Sequence, residues 1–267
     1  MMTPVSDSFD LTMRGLEDGL RVQHIAAFNL QTCSATDSAD AVLADKSFED
    51  FDQIPVRDDA GRIVGVLSRT TNPVVGNVSV VMQQLDESLL VASAAPLMSF
   101  IRLAGTASYK LVLDEGGIRG IVTRSDLLKL PVRLLAFAFM THLEMLMAAV
   151  IRKKYPPPDE TWFDILSDGR KTKALEKREE LKGSRMELDL LEFTDFCDKR
   201  KIVKRITGFG NDFIDDTEEA EGLRNQIAHA TTFITTDAEA TEFALKIQKA
   251  EKWMARLQEV IDQMAQV

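Results

Sequence analysis

The chain has 267 residues, 45% of them hydrophobic and 28% charged, with a formal net charge of −10 at pH 7. That length exceeds one typical domain, and the composition is that of a soluble globular protein with enough apolar mass for real cores. A chain this acidic is not a general nucleic-acid binder, since phosphate contacts must outweigh long-range repulsion; any role on RNA needs a local basic patch.

The N-terminal MMTPVSDSFD has neither a positive region nor an apolar run, so no signal peptide is expected. The first 15 or so residues carry little pattern and are expected as a loose tail or a swapped arm. Cys33 and Cys197 lie far apart, without metal-ligand spacing, and read as reduced thiols of a cytoplasmic protein. His24, before Ile25-Ala26-Ala27, is expected to be structural.

Residues before about 131 contain an internal repeat: FDQIPVRDDAGRIVGVLSRTT (Phe51 to Thr71) and ASYKLVLDEGGIRGIVTRSD (Ala107 to Asp126). Each copy reads as a short apolar strand, an acidic-Gly turn and a second strand ending in Ser or Thr, which is hairpin chemistry. Gly65 and Gly120 fall inside the second strands, where a missing side chain marks close approach of another backbone or a ligand. A helix is predicted upstream of each hairpin, over Ser38 to Lys46 and Pro96 to Leu103. Neither unit can bury its sheet alone, so two such units are expected face to face.

Gly61-Arg62-Ile63-Val64-Gly65-Val66-Leu67-Ser68, with Ile118-Arg119-Gly120-Ile121-Val122-Thr123-Arg124-Ser125-Asp126, resembles the cystathionine-β-synthase (CBS) domain pair over roughly residues 20 to 131. The resemblance implies a sensor that binds an adenine nucleotide (AMP- or ATP-like) in clefts between the repeats. It also implies that the strand-ending threonine meets phosphate and that the aspartate three residues on accepts both ribose hydroxyls. A carboxylate offers two strong acceptors to a cis-diol, and a nearby helix start favours phosphate. Copy two keeps both positions as Thr123 and Asp126; copy one keeps Ser68 but has Thr71 in place of the aspartate, so one competent site is expected, around copy two. The alternative is that Asp126 merely caps the following helix.

From Pro131 the texture changes. Leu134 to Ile151 is apolar almost all round, with His142 and Glu144 its main interruptions, and Pro156-Pro157-Pro158 ends it. Its length brushes the lower limit of a membrane span, but the central glutamate favours a buried bundle helix and no membrane. Lys171 to Leu181 reads as a solvated helix at best, followed by helices over Met186 to Ile206, Asp212 to about Thr231, and Ala238 to Met264. The last carries Phe243, Ile247, Ala250, Met254, Leu257, Ile261 and Met264 at alternating intervals of four and three, a seam for neighbouring helices. The expected fold is thus an α+β tandem CBS pair followed by an all-α antiparallel bundle, divided as residues 1–15 (tail), 16–75 and 76–131 (repeats) and 132–267 (helical).

Leu223-Arg224-Asn225, followed four residues after Asn225 by His229 and then by a long last helix, resembles the HEPN superfamily of helical domains. The resemblance implies a metal-independent endoribonuclease, its arginine and histidine brought together across a homodimer, although some members only dimerise or dock a partner. In that chemistry His229 would move a proton, imidazole being the side chain that ordinarily titrates nearest neutral pH. Arg224 would stabilise charge on the phosphate and Asn225 would orient the imidazole or hold substrate. No metal and no other cofactor is required. Arg224 and His229 are five apart, about 140° around a helix and about 7.5 Å along it, which suits a composite site on two facing helices better than one. The bland alternative is a histidine at a helix end and an arginine in a surface ion pair. Lys199, Arg200, Lys201, Lys204 and Arg205 could supply the local phosphate patch, or could be a solvated helix end paired with Asp195 and Asp198. The two functions that follow are a nucleotide-gated ribonuclease acting as a toxin or defence effector, and a non-catalytic nucleotide sensor whose helical half dimerises or docks a partner.

Overall fold

The structure, a computed structural model, describes residues 5–69, 75–180, 189–229 and 232–266, with side chains from Leu11 onward. The first described element is a helix, α1 (Val5–Gly19), in the stretch expected as a loose tail or a swapped arm. Met13, Leu16 and Leu20, three and four residues apart, give α1 and its exit an apolar side against the main core.

Two small sheets follow. The first holds β1 (Cys33–Ser34), β2 (Gln53–Arg57), β3 (Ile63–Ser68) and β4 (Gln83–Gln84) in that spatial order, with α2 (Ala39–Ala44) and α3 (Val78–Val81) between strands. The second holds β5 (Leu90–Ala92), β6 (Tyr109–Asp114) and β7 (Gly117–Thr123), with α4 (Leu97–Leu103) between β5 and β6. In each sheet a parallel pair is joined to an antiparallel hairpin: Val56 opposes Gly65 in one and Val112 opposes Gly120 in the other. The turns bend where expected, with Gly61 at φ +75° and Gly116 at φ +89°, conformations that glycine reaches at little cost. Ile63 and Val66 of β3 meet Tyr109 and Leu111 of β6 in one apolar cluster, so the sheets do face each other.

The two units also exchange their leading segments. Residues 20–28 lie on the second sheet, where Ala27 and Ile121 share a pair of backbone hydrogen bonds (2.8 and 2.9 Å) and Val22 N–H donates to Ala95. Residues 76–85 lie on the first, where Ala39 N–H donates to Gly76, Leu85 N–H donates to Val64, and β4 pairs with β3. Boundaries drawn by chain order at 75 and 76 therefore cut across both sheets. His24 belongs with the second unit rather than the first; its Nδ1 accepts the Arg21 N–H at 3.0 Å, a structural role.

This exchange explains both strand glycines. A Cβ on Gly65 would lie 2.5 Å from the Gln83 carbonyl oxygen, and one on Gly120 would lie 2.9 Å from that of Ala27. The approaching group is backbone in each case, not ligand.

The helical half is α5 (Leu130–Lys154), α6 (Asp168–Glu180), α7 (Phe196–Thr207), α8 (Asn211–Ala228) and α9 (Asp237–Ala265). α5 is central, touching α1, α4, α7, α8 and α9. It is long and apolar enough to cross a membrane by composition, yet Leu135, Met140, Leu143, Met147 and Ile151 are buried among those partners. The α9 seam is as expected: Phe243, Ile247, Ala250, Met254 and Leu257 are buried, with Ile261 and Met264 at the edge of the core. Trp253 stacks with Phe209 and Phe213 (centroids 5.2 and 5.0 Å) and donates to Asp216 at 2.8 Å.

The helix expected over Met186 to Ile206 is broken. Residues 186–188 lie outside the described residues, Leu190–Phe193 is a single 3-10 turn, and α7 starts only after Asp195. Asp195 and Asp198 form a reciprocal cap there, an Asp-x-x-Asp signature readable in the sequence. α6 is docked, not merely solvated. Arg170 bonds Asp195 (2.5 Å) and Asp198 (2.6 Å), and Lys173 and Lys177 also hold Asp195. Burial pushes the Asp195 carboxyl up, but these three cations outweigh it and hold it well below the usual carboxylate range.

Gly65→Ala is expected to cost about 2–3 kcal/mol and Gly120→Ala about 1–2 kcal/mol, because a backbone carbonyl must give way. Gly222→Ala, at an α8 position with nothing within 4 Å of the added atom, should instead stabilise by about 0.5–1 kcal/mol. Urea unfolding of the three variants checks the order.

Candidate functional site

The strand ends that carry the repeat's Ser and Thr open onto a cleft of about 860 Å³. Gln53 and Arg69 line it from the first unit, and Ser108, Thr123, Arg124 and Asp126 from the second. Residues 234–237, which lead into α9, close it from the bundle side. The volume lies in the range of small-ligand sites.

Thr123 and Asp126 are both on the wall. Asp126 is 8% exposed; its Oδ2 accepts the Thr123 N–H (2.6 Å) and hydroxyl (3.2 Å), and its Oδ1 meets Lys129 Nζ at 2.7 Å. It therefore completes a reciprocal cap with Thr123 on the turn Arg124–Leu128, in which it lies, while the N-cap of the following α5 is Lys129. The same bonds fix the carboxylate at the cleft, with a neighbouring cation to balance it. Thr123 Oγ1 also pairs with Ser125 at 2.7 Å, giving the wall two adjacent hydroxyls. Ser68 is beside the cleft rather than on its wall, against the Tyr109 hydroxyl. Thr71 lies outside the described residues.

Sequence reasoning did not single out Arg69 and Arg124, which face this cleft from equivalent positions, each directly after the Ser or Thr that ends its unit's second strand. The repeated Ser/Thr-Arg pair was the available signal. Residues 234–237 carried none, since their place on the cleft depends on how α9 docks.

The second candidate constellation is differently arranged. Arg224 and Asn225 sit in the last turns of α8, and His229 is its exposed C-cap, its N–H reaching the Asn225 carbonyl. Arg224 turns toward the bundle, where Nη1 meets Glu144 of α5 and the guanidinium lies 5.4 Å over the Phe196 ring. Glu144 also holds Lys199 Nζ at 3.0 Å, and Lys199 donates to the Thr194 carbonyl at 2.8 Å. Asn225 and His229 are exposed on the other side. Among the described residues no hydrogen bond or ion pair joins Arg224 to His229, so one chain does not bring them together.

The expected basic patch is largely spent on internal pairs. Arg200 is buried against Glu221 (3.2 Å) and Glu218, and Lys204 bonds Asn211. Asp195 and Asp198, the expected partners, serve α6 instead. Lys201 and Arg205 are the exposed cations of the run. His142 lines a separate small groove of about 250 Å³ with Arg14, Glu17 and Gln258.

No protein-family model and no curated protein matches the chain. Solved structures similar to it include a conserved CBS domain protein of unknown function from Thermoplasma acidophilum, at 24% identity over 40% of this chain and 67% of that one, TM-score 0.34. Others are the CBS-pair protein CBSX2 from Arabidopsis thaliana (22%, 40% and 90%, TM-score 0.35) and the CBS domain of a bacterial CNNM/CorC family Mg2+ transporter in complex with ATP (18%, 48% and 97%, TM-score 0.37).

Glu144→Ala would leave Arg224 and Lys199 without their shared carboxylate in a part-buried site, which should cost about 2–3 kcal/mol. Asn225→Ala, on the exposed side, should stay within about 0.5 kcal/mol of wild type. Denaturant midpoints separate the two.

Proposed function

We propose that this protein is an adenine-nucleotide-responsive regulator in which the cleft between the two αβ units takes the ligand and the helical bundle is the output. The observation that carries this reading is the composition of the cleft: the Thr123/Asp126 wall, two arginines, and the lead-in to α9 enclose one volume. A ligand there would touch both units and the bundle at once. Asp126 supplies acceptors for a ribose diol, and the two guanidinium groups supply donors for phosphate. A second, shorter route to the bundle runs through the chain itself, since Lys129 alone separates the turn carrying Asp126 from α5.

Isothermal calorimetry with ATP and AMP tests the site. Asp126→Ala should weaken the better ligand by about tenfold or more, as expected for loss of a charge-assisted pair of bonds worth at least about 1.4 kcal/mol. Equal affinity for wild type and variant would remove the site.

We further propose, as the second reading, that the bundle acts as a HEPN-type metal-independent endoribonuclease in a homodimer, with His229 as general acid or base, Arg224 on the phosphate and Asn225 beside the imidazole. The exposed placement of Asn225 and His229 at the end of α8 favours it, because a second copy could reach them. The ion pair of Arg224 with Glu144 weighs for the rival, a bundle that only dimerises or docks a partner. Purified protein incubated with RNA, with and without ATP or AMP, decides between them. The nuclease reading expects cleavage by wild type and at least about 100-fold less by His229→Ala. RNA left equally intact by both under every ligand leaves the regulator alone.

A further inference from the structure

The two cleft arginines are a matched pair. Arg69 N–H donates to the Asp52 carbonyl at 2.8 Å and Arg124 N–H to the Ser108 carbonyl at 3.1 Å, each carbonyl coming from the residue just before the paired strand. Each guanidinium is then pinned to a carbonyl at the end of its own unit's helix region. Arg69 Nη1 reaches Leu43 and Nη2 reaches Phe48, both at 2.9 Å, and Arg124 Nε reaches Ala104 at 2.9 Å. Pinning fixes the planes in advance, so an arriving oxyanion need not order them.

Their remaining donors differ. Arg69 has no carboxylate partner among the described residues, and its Nε is buried without a hydrogen bond. Arg124, with its side chain 16% exposed, spends Nη1 on Asp237 at 2.9 Å, and the Asp237 side chain is 79% exposed. Asp237 is the first residue of α9, the helix that packs on α4, α5 and α8.

We propose that Arg69 and Arg124 are the phosphate-binding pair of the inter-unit cleft, and that Asp237 competes with the ligand's phosphate for Arg124, so that occupancy releases the start of α9. This rests on the nucleotide reading of the cleft and names how that site reports to the bundle. An ion pair whose carboxylate is largely exposed is weak, while a phosphate can accept from both guanidinium groups at once, so the exchange favours the ligand. The capping box of Thr236 and Glu239 stays formed when Asp237 swings away; Glu239 accepts from the Thr235 and Thr236 N–H groups (2.7 and 2.9 Å), and Asp237 takes no part in it. The change is therefore confined to the contact between α9 and the second unit.

The test is ATP calorimetry on the full chain as a double-mutant cycle. Asp237→Asn should bind ATP about 3- to 5-fold tighter than wild type, the competitor being gone. Arg124→Ala should bind at least about tenfold weaker, and in that background Asp237→Asn should change nothing. Arg69→Ala, checked for an unchanged melting profile, should also bind at least about tenfold weaker. ATP binding that Asp237→Asn leaves unchanged would overturn the competition, as would a gain that persists beside Arg124→Ala, which marks a general charge effect. Full affinity in Arg69→Ala or Arg124→Ala would overturn the pair. Absence of ATP and AMP binding by wild type is a different failure, since it removes the nucleotide reading and this mechanism with it.

Discussion

The second αβ unit and the helical bundle share one hydrophobic core, and the other features of the molecule are arranged around that fact. Leu97, Phe100, Val112, Val122 and Leu127 of the unit are continuous with Val132, Leu135 and Met140 of α5, and onward with α7, α8 and α9. The first unit is built otherwise. It has its own small core of Cys33, Ile54, Val56, Leu67 and Val78, and it meets the second through the separate cluster around Val66 and Leu111. Close packing makes the larger assembly stiff, because interdigitated side chains have discrete arrangements rather than a continuum. The joint between the two sheets is the smaller contact and therefore the softer one. The cleft lined by Arg69 and Arg124 lies across that softer joint.

The electrostatics follow the same division. In the bundle, carboxylates act as shared anchors: Glu144 holds Arg224 and Lys199, and Asp195 holds Arg170, Lys173 and Lys177. Such partly buried clusters are costly to break on one side, so they fix where helices meet. At the cleft the pairs are single rather than shared, Lys129 with Asp126 and Arg124 with Asp237. The placement of Arg224 within an anchor rather than at an open face is what separates it from His229. It also means that any chemistry at the α8 terminus must borrow geometry from outside the single chain.

Much of the fold could be read from local pattern. The hairpins, their glycine turns, the limits of α2, α4, α8 and α9 to within a few residues, and the α9 seam all follow from short-range periodicity and capping. What escaped is non-local. Nothing in residues 20–28 says that they will pair with a strand near residue 121, although Gly120 already marks that something must come close there. α1 is rich in polar residues, so its Met13–Leu16–Leu20 side does not stand out in the sequence. The break before α7 was legible in Asp195 and Asp198 but lost beneath the apolar run that precedes it. Of the candidate site residues, Thr123 and Asp126 stand out in the sequence because chemistry and repeat spacing coincide. Arg69 and Arg124 do not stand out in the same way, because an arginine after a strand end has many ordinary roles and their shared cleft exists only once the two units have docked. The partner of Arg224 lies 80 residues away in sequence, beyond the reach of any helix-face argument.

The exchanged leading segments bear on how the chain is made. The first sheet cannot close its β3 edge until residues 83–84 have been synthesised, and residues 20–28 must stay unpaired until the strand containing Ile121 appears. Pairings across such separations close large loops before they yield contacts, which slows folding relative to a chain of local hairpins. Until then β3 presents an open row of backbone donors and acceptors, the kind of edge that recruits stray strands. The nascent protein is therefore most exposed to mispairing in the interval between its two repeats, and least so once the second has emerged and each segment has found the other's sheet.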